Sequence, residues 1–114
     1  CVSMYPHDPK YANLSTIQMM IKKLNLPIGW SDHTVSPGVI YRAVHKFRAN
    51  IIEFHLDLDG QGEEYTSGHC WLPEDIKIVI NSFGNRNGII LCKEKGLSIS
   101  HLLLAIVQIG NIYL

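Results

Sequence analysis

The chain has 114 residues, 46% of them hydrophobic and 18% charged, and its ten basic and ten acidic side chains cancel. Such a composition suits one small globular domain and excludes a disordered chain or an acidic tail. Neutrality also excludes the basic excess that a nucleic-acid-binding surface needs.

Residue 1 is Cys, and no charged segment followed by an apolar stretch opens the chain. The sequence therefore reads as a cytoplasmic piece, cut from something longer. The longest apolar run, residues 102–107, is far too short to span a bilayer, so no membrane partner is expected. Three cysteines, Cys1, Cys70 and Cys92, are odd in number and widely spaced. They suit a reducing compartment rather than a disulfide framework or a zinc knuckle.

Strand and helix patterns alternate along the chain. Residues 1–5 read as a first strand, followed by a turn-rich loop over 6–13. Leu14, Ile17, Ile21 and Leu24 fall at spacings of three and four, predicting a helix over 14–24 with Asn13 as its N-cap. Pro27 restarts the chain in extended form, and residues 28–33 read as a second strand. Ser36 followed by Pro37 signals a second helix, whose buried stripe is Ile40, Ala43, Val44 and Phe47. Residues 51–59 read as a third strand, and 60–72 as a loop. A third helix begins at Pro73, with the stripe Ile76, Val79, Ile80 and Phe83 and a C-cap at Gly84. From 88 to 114 the pattern degrades, and periodicity does not decide between helix and buried strand for 102–107. This alternation predicts an α/β fold with parallel strands and crossover helices, either a piece of a (β/α) barrel or a doubly wound sheet. Three units cannot close a barrel, which takes eight strands and about 250 residues.

Side chains alternate across a strand. In the third strand Ile52, Phe54, Leu56 and Leu58 share one face, and Glu53, His55, Asp57 and Asp59 the other. Helices cover the apolar face, so the polar set points into a barrel interior or crevice. In the second strand Gly29, Ser31 and His33 share a face, and in the first Cys1, Ser3 and Tyr5 do. Active sites of such folds lie at the C-terminal strand ends. If the second and third strands are neighbours, His33 and His55 can share one divalent metal, with Mn, Fe, Co and Zn all compatible with imidazole.

Blander readings stand beside this. A histidine is commonly a hydrogen-bonded structural residue, and both readings of His33 and His55 stay open on spacing alone. His7, His45 and His101 have no case as ligands, and His45 is expected in solvent on a helix flank. Asp57, Asp59, Glu63 and Glu64 suit a solvated loop, and Tyr5 before Pro6 suits packing at a turn. His69 and Cys70, in Gly68-His69-Cys70-Trp71, raise a nucleophile or second metal site, but a packing or substrate-loop role is favoured because catalytic partners meet in space rather than in sequence. No G-x-S-x-G, P-loop or G-x-G-x-x-G motif occurs.

Cys1-Val2-Ser3-Met4-Tyr5-Pro6, Pro27-Ile28-Gly29-Trp30-Ser31-Asp32-His33-Thr34, Ile52-Glu53-Phe54-His55 and Pro73-Glu74, in this order and spacing, resemble the N-acetylneuraminate (sialic acid) synthase family. The resemblance covers residues 1–85 and implies the last three units of a TIM (β/α)8 barrel. It implies condensation of phosphoenolpyruvate with an N-acyl hexosamine such as N-acetylmannosamine, giving a nonulosonic acid and phosphate. A divalent metal, Mn²⁺ or Mg²⁺, would bind His33 and His55. Ser31 would contact the phosphoenolpyruvate phosphate, Ser3 would take the place of a substrate-contacting Asn, and Tyr5 would line the sugar site. Apart from the resemblance, Glu53 and Asp57 are expected to orient the histidines or a bound water. The full-length parent is expected to be a cytoplasmic homodimer, and the isolated piece inactive.

The sequence departs from the family pattern in places. Ser3 replaces the usual Asn, and Glu53-Phe54-His55-Leu56 replaces E-K-H-F. Thr66 falls where the family has a sugar-binding aspartate, leaving Glu63 or Glu64 as substitutes and implying a different acyl-sugar. Residues 86–114 read as a divergent tail, truncated or frame-shifted. Two other readings compete. One is a non-catalytic remnant that binds metal or a sugar phosphate, or only packs with another chain. The other is a metal-dependent aldolase, which needs a Schiff-base lysine that the second and third strands lack.

Overall fold

The computed structural model describes residues 1–83 in full and the backbone of residues 88–94 and 106–109. Helix α1 spans Ser15–Leu24, followed by strand β1 over Gly29–Asp32. Helix α2, Pro37–Tyr41, runs into a π-helical turn over Arg42–Lys46. Strand β2 spans Ile51–Leu56, and the short elements α3, Glu63–Thr66, and β3, Cys70–Trp71, come next. Helix α4, Pro73–Ser82, precedes strands β4, Gly88–Glu94, and β5, Ile106–Ile109.

The strands form one sheet in the order β1-β2-β4-β5, with β3 also paired to β2. Strands β1, β3 and β4 all run parallel to β2. Strand β5, in the stretch that periodicity left undecided, returns antiparallel to β4. The α/β class and the parallel centre agree with the expected crossover architecture.

The helices cover one face of this sheet. Trp30 on β1 and Ile52 and Phe54 on β2 point into a core shared with Ile17 of α1, Val39, Ile40 and Ala43 of the α2 region, and Ile76 and Val79 of α4. The helices bury most of the stripes read from their three-and-four spacing, but Leu24, at the last position of the α1 stripe, is exposed because the helix end runs past the sheet-facing core. Helix α1 starts one residue later than expected. Asn13 sits at φ 48° and caps through its carbonyl, which accepts from the Thr16 amide. Ser36 likewise uses its carbonyl, taking the Val39 and Ile40 amides, while its hydroxyl makes no cap bond. The Gly84 cap, residues 102–105 and His101 lie outside the described residues.

Three expected elements differ. Residues 1–5 are not a strand, because the Met4 amide turns back to the Val2 carbonyl at 2.8 Å. That tight turn breaks the alternation of Cys1, Ser3 and Tyr5. Strand β2 stops at Leu56, not at residue 59, because the Asp57 carboxylate gathers the amides of Asp59, Gly60 and Gly62. An aspartate closing a turn on its own following backbone competes with strand pairing. Asp57 and Asp59 therefore leave the inward face. Finally, the loop expected over 60–72 contains α3 and β3.

Gly29 permits a close approach of β1 to β2. A Cβ there would lie 2.9 Å from the Ile51 Cβ and 3.0 Å from the Ile51 carbonyl oxygen. Gly29→Ala is expected to destabilise the fold by about 1–3 kcal/mol, since overpacking forces backbone to move. A urea midpoint equal to that of the unsubstituted chain would contradict this close approach.

Candidate metal and substrate site

The polar face of the sheet carries the site. Ser31 pairs in register with Glu53, and Asp32 with Phe54. One residue further along, His33 comes beside His55. Their ring centres are 5.2 Å apart. Two imidazoles on one tetrahedral ion, with metal–nitrogen bonds of about 2.1 Å, have ring centres roughly 5 Å apart. Both rings line an open cavity of about 540 Å³, together with Cys1, Tyr5, Ser31, Glu53, Glu64 and His69. Tyr5 lays its ring 4.1 Å from that of His33 and reaches His55 and His69 edge-on. Ser3 is exposed and is not among the lining residues, a consequence of the turn at Val2–Met4.

Hydrogen bonds fix the ring tautomers. The Val2 carbonyl can only accept, so His33 donates to it from Nδ1, at 3.1 Å. The Nε2 lone pair is left toward the cavity, where the Ser31 hydroxyl lies 3.4 Å away. His55 donates from Nδ1 to Glu64 at 2.9 Å and is likewise left with Nε2. A histidine whose Nδ1 is held by a carbonyl or a carboxylate is the usual form of a metal ligand. The donor set thus suits a divalent ion, with Val2 and Glu64 orienting the two rings.

Asp32 anchors the motif from the opposite face. It is fully buried, and its carboxylate accepts from Trp30 Nε1 at 3.2 Å, the Thr34 hydroxyl at 2.8 Å and the Val35 amide at 3.2 Å. These bonds hold Val35 at φ 49°, a conformation that β-branched residues rarely adopt. His33 sits between the anchored residues and inherits their position. Asp32→Ala is expected to cost about 2–4 kcal/mol, because it strands the buried Trp30 Nε1–H and two partly buried donors, those of Thr34 and Val35. An unchanged urea midpoint would contradict this anchoring.

Sequence reasoning offered Glu64 only as a loop acid or as a substitute for the sugar-binding aspartate, not as the partner of His55, and gave His69 a packing or substrate-loop role. Helix α3 ends in a Schellman turn, with Gly68 at φ 90°, its amide on the Tyr65 carbonyl and the His69 amide on the Glu64 carbonyl. That turn folds His69 back beside Glu64. The glycine before His69 was the available signal. His45 is exposed, as expected, whereas His7 is buried with its ring edge-on to Trp30 and His33.

Burial holds the His33 pKa below its ordinary value of 6.5, and the neighbouring His55 adds to this against the Val2 hydrogen bond. The folded state thus binds less proton than the unfolded state just below pH 6.5. This contribution to stability is whole above that pH and is lost as pH falls through the window beneath it. Without metal, the urea midpoint should drop from pH 7.5 to pH 5, and His33→Gln should remove part of that drop. Equal pH dependence in both proteins would contradict the assignment.

Among the described residues no helix is long and apolar enough to cross a membrane. A profile of the NeuB family matches residues 1–93. The chain is 32% identical over 87 residues to the N-acetylneuraminate-9-phosphate synthase of Drosophila melanogaster, covering 75% of this chain and 23% of that protein. It is 30% identical over 97 residues to the N,N'-diacetyllegionaminic acid synthase of Legionella pneumophila, covering 83% and 26%. It is also 30% identical over 82 residues to the spore coat polysaccharide biosynthesis protein SpsE of Bacillus subtilis, covering 71% and 22%. The chain therefore spans about a quarter of the length of these relatives. No solved structure gives a significant match. With the profile running through β1, β2 and the strand-end histidines, the chain belongs to the NeuB family, whose relatives here include sialic-acid-type synthases.

Proposed function

We propose that the chain supplies the metal-binding strand ends of a synthase that condenses phosphoenolpyruvate with an N-acyl hexosamine, forming a nonulosonic acid and releasing phosphate. The observation that carries this is the pair His33 and His55, each held through Nδ1 with Nε2 left over, on neighbouring strands of one cavity. The names of the Drosophila and Legionella relatives support a nonulosonic acid product. The βα units are read as the last three of a (β/α)8 barrel, with the cavity at the C-terminal strand ends.

His33 and His55 would hold Mn²⁺ or Mg²⁺, which when bound polarises the sugar aldehyde and stabilises the developing alkoxide. The remaining work belongs to the side chains. Ser31, on the cavity floor beside His33, is placed to donate to a phosphate oxygen. Tyr5, half exposed on the cavity wall with its ring against that of His33, is placed to contact a sugar. Glu53 faces the cavity from the same strand as His55 and is placed to orient a water. Asp57 takes no part there, being tied to the loop amides.

The test is phosphate release from phosphoenolpyruvate with Mn²⁺ and N-acetylmannosamine. The chain is to be assayed alone and within a barrel whose other strands come from a NeuB relative. The isolated chain is expected to bind Mn²⁺ without turnover, and the completed barrel to turn over. His33→Ala or His55→Ala should lower kcat/KM at least about 100-fold. Turnover indifferent to both substitutions would overturn the proposal. A completed barrel that binds Mn²⁺ but never releases phosphate would favour the non-catalytic remnant instead.

A further inference from the structure

His33 stands one residue past the end of β1, so the ladder with β2 does not hold it. What holds it comes from the first seven residues. The Val2 carbonyl takes its Nδ1 proton, and the Tyr5 ring lies against one side of the imidazole. The His7 amide donates to the His33 carbonyl at 3.3 Å. The His7 ring then meets the His33 ring at 88°, with centres 6.5 Å apart, and the Trp30 ring at 84° and 6.2 Å. Both distances lie within the range of edge-to-face pairs. Trp30 in turn donates to Asp32, so the His7 ring is seated on the same buried anchor that fixes the motif.

His7 is only 4% exposed, and an imidazole is a costly ring to bury there. The Asp8 carbonyl can only accept, so His7 donates to it from Nδ1, at 3.1 Å. Nε2 is then left as an acceptor, and among the described residues it has no hydrogen-bond partner. A buried acceptor without a donor lowers stability, a cost that a phenyl ring of similar shape escapes. What a phenyl ring lacks is the Nδ1 donor. That bond fixes the rotation of the His7 ring. Asp8 is itself fixed, because its carboxylate accepts the Lys10 amide at 2.9 Å and caps the short helical turn over Pro9–Tyr11. The turn, the Asp8 carbonyl, the His7 ring and the His33 ring thus form one continuous series of contacts.

We infer that His7 is a positioning residue, whose Nδ1-held ring braces the His33 imidazole from outside the cavity and keeps Nε2 of His33 turned inward. A ring bonded at one nitrogen and packed on one side can still tilt, and an edge set against it removes that freedom. His7 is not among the lining residues, so it touches neither metal nor substrate. The inference rests on the reading of His33 as a metal ligand. It explains why a ring with an unpaired buried nitrogen stands where an apolar one would pack more cheaply.

The test is His7→Phe, which keeps the ring shape and removes the Nδ1 donor. Three quantities are measured against the unsubstituted chain at pH 7.5: the urea midpoint, the Mn²⁺ dissociation constant by calorimetry, and, without metal, the His33 Nδ1–H resonance. The urea midpoint should stay equal or rise, because an unpaired buried acceptor is gone. Mn²⁺ should nevertheless bind at least about 10-fold more weakly, the least that loss of a ligand's supporting residue costs. The His33 Nδ1–H resonance should broaden through faster exchange with water. A merely structural role predicts instead that affinity follows the midpoint. His7→Phe with unchanged Mn²⁺ affinity and an unchanged His33 resonance would overturn the inference, and so would a lowered midpoint. No Mn²⁺ bound by the unsubstituted chain would sink the synthase reading, and the metal-free His33 resonance would then decide this inference by itself.

Discussion

The pairing register of β1 with β2 is the constraint on which the site depends. Because Asp32 lies opposite Phe54, the next residue on each strand is a histidine, and both project to the same side. Shifting the register by one residue would turn one ring into the helix-covered core. Two features guard against that slip. Gly29 lets the strands approach at their start, and the buried Asp32 carboxylate locks the turn at the end. The chemistry of the cavity therefore rests on backbone geometry more than on side-chain packing.

The regular part of this architecture was legible. Trp30, Ile52 and Phe54 face the helices, and Ser31, Glu53 and His55 the cavity, because period-two alternation leaves no other arrangement in a half-covered sheet. The helix stripes were legible for the same reason. What escaped was set by backbone hydrogen bonds that periodicity does not record. The Val2–Met4 turn removed a strand, and the amides gathered by Asp57 ended another. Asp32 sat unremarked inside a recognised motif, since nothing in its neighbours says that three donors converge on it.

The segment between β2 and α4 shows the same limit more sharply. As a string of residues it reads as a polar loop. In space Asp57 fixes its entry, a single helical turn carries Glu64, and Gly68 reverses the chain so that His69 and Cys70 return to His55. His55 thereby stands between two sets of partners. Its Nδ1 belongs to Glu64, and its Nε2 to the side shared with His33. The division of one ring between two neighbours explains why Glu64 matters: by taking the Nδ1 proton it fixes how His55 is turned.

The central claim is that His33 and His55 hold their protons on Nδ1 and offer Nε2 to a common cation. Long-range ¹H–¹⁵N correlation spectra of the imidazole rings test it most directly. The account predicts the Nδ1–H tautomer for both rings near neutral pH, with both Nε2 signals perturbed together by a substoichiometric paramagnetic divalent ion. An Nε2–H tautomer at His33, or an ion that perturbs only one of the two rings, would contradict it.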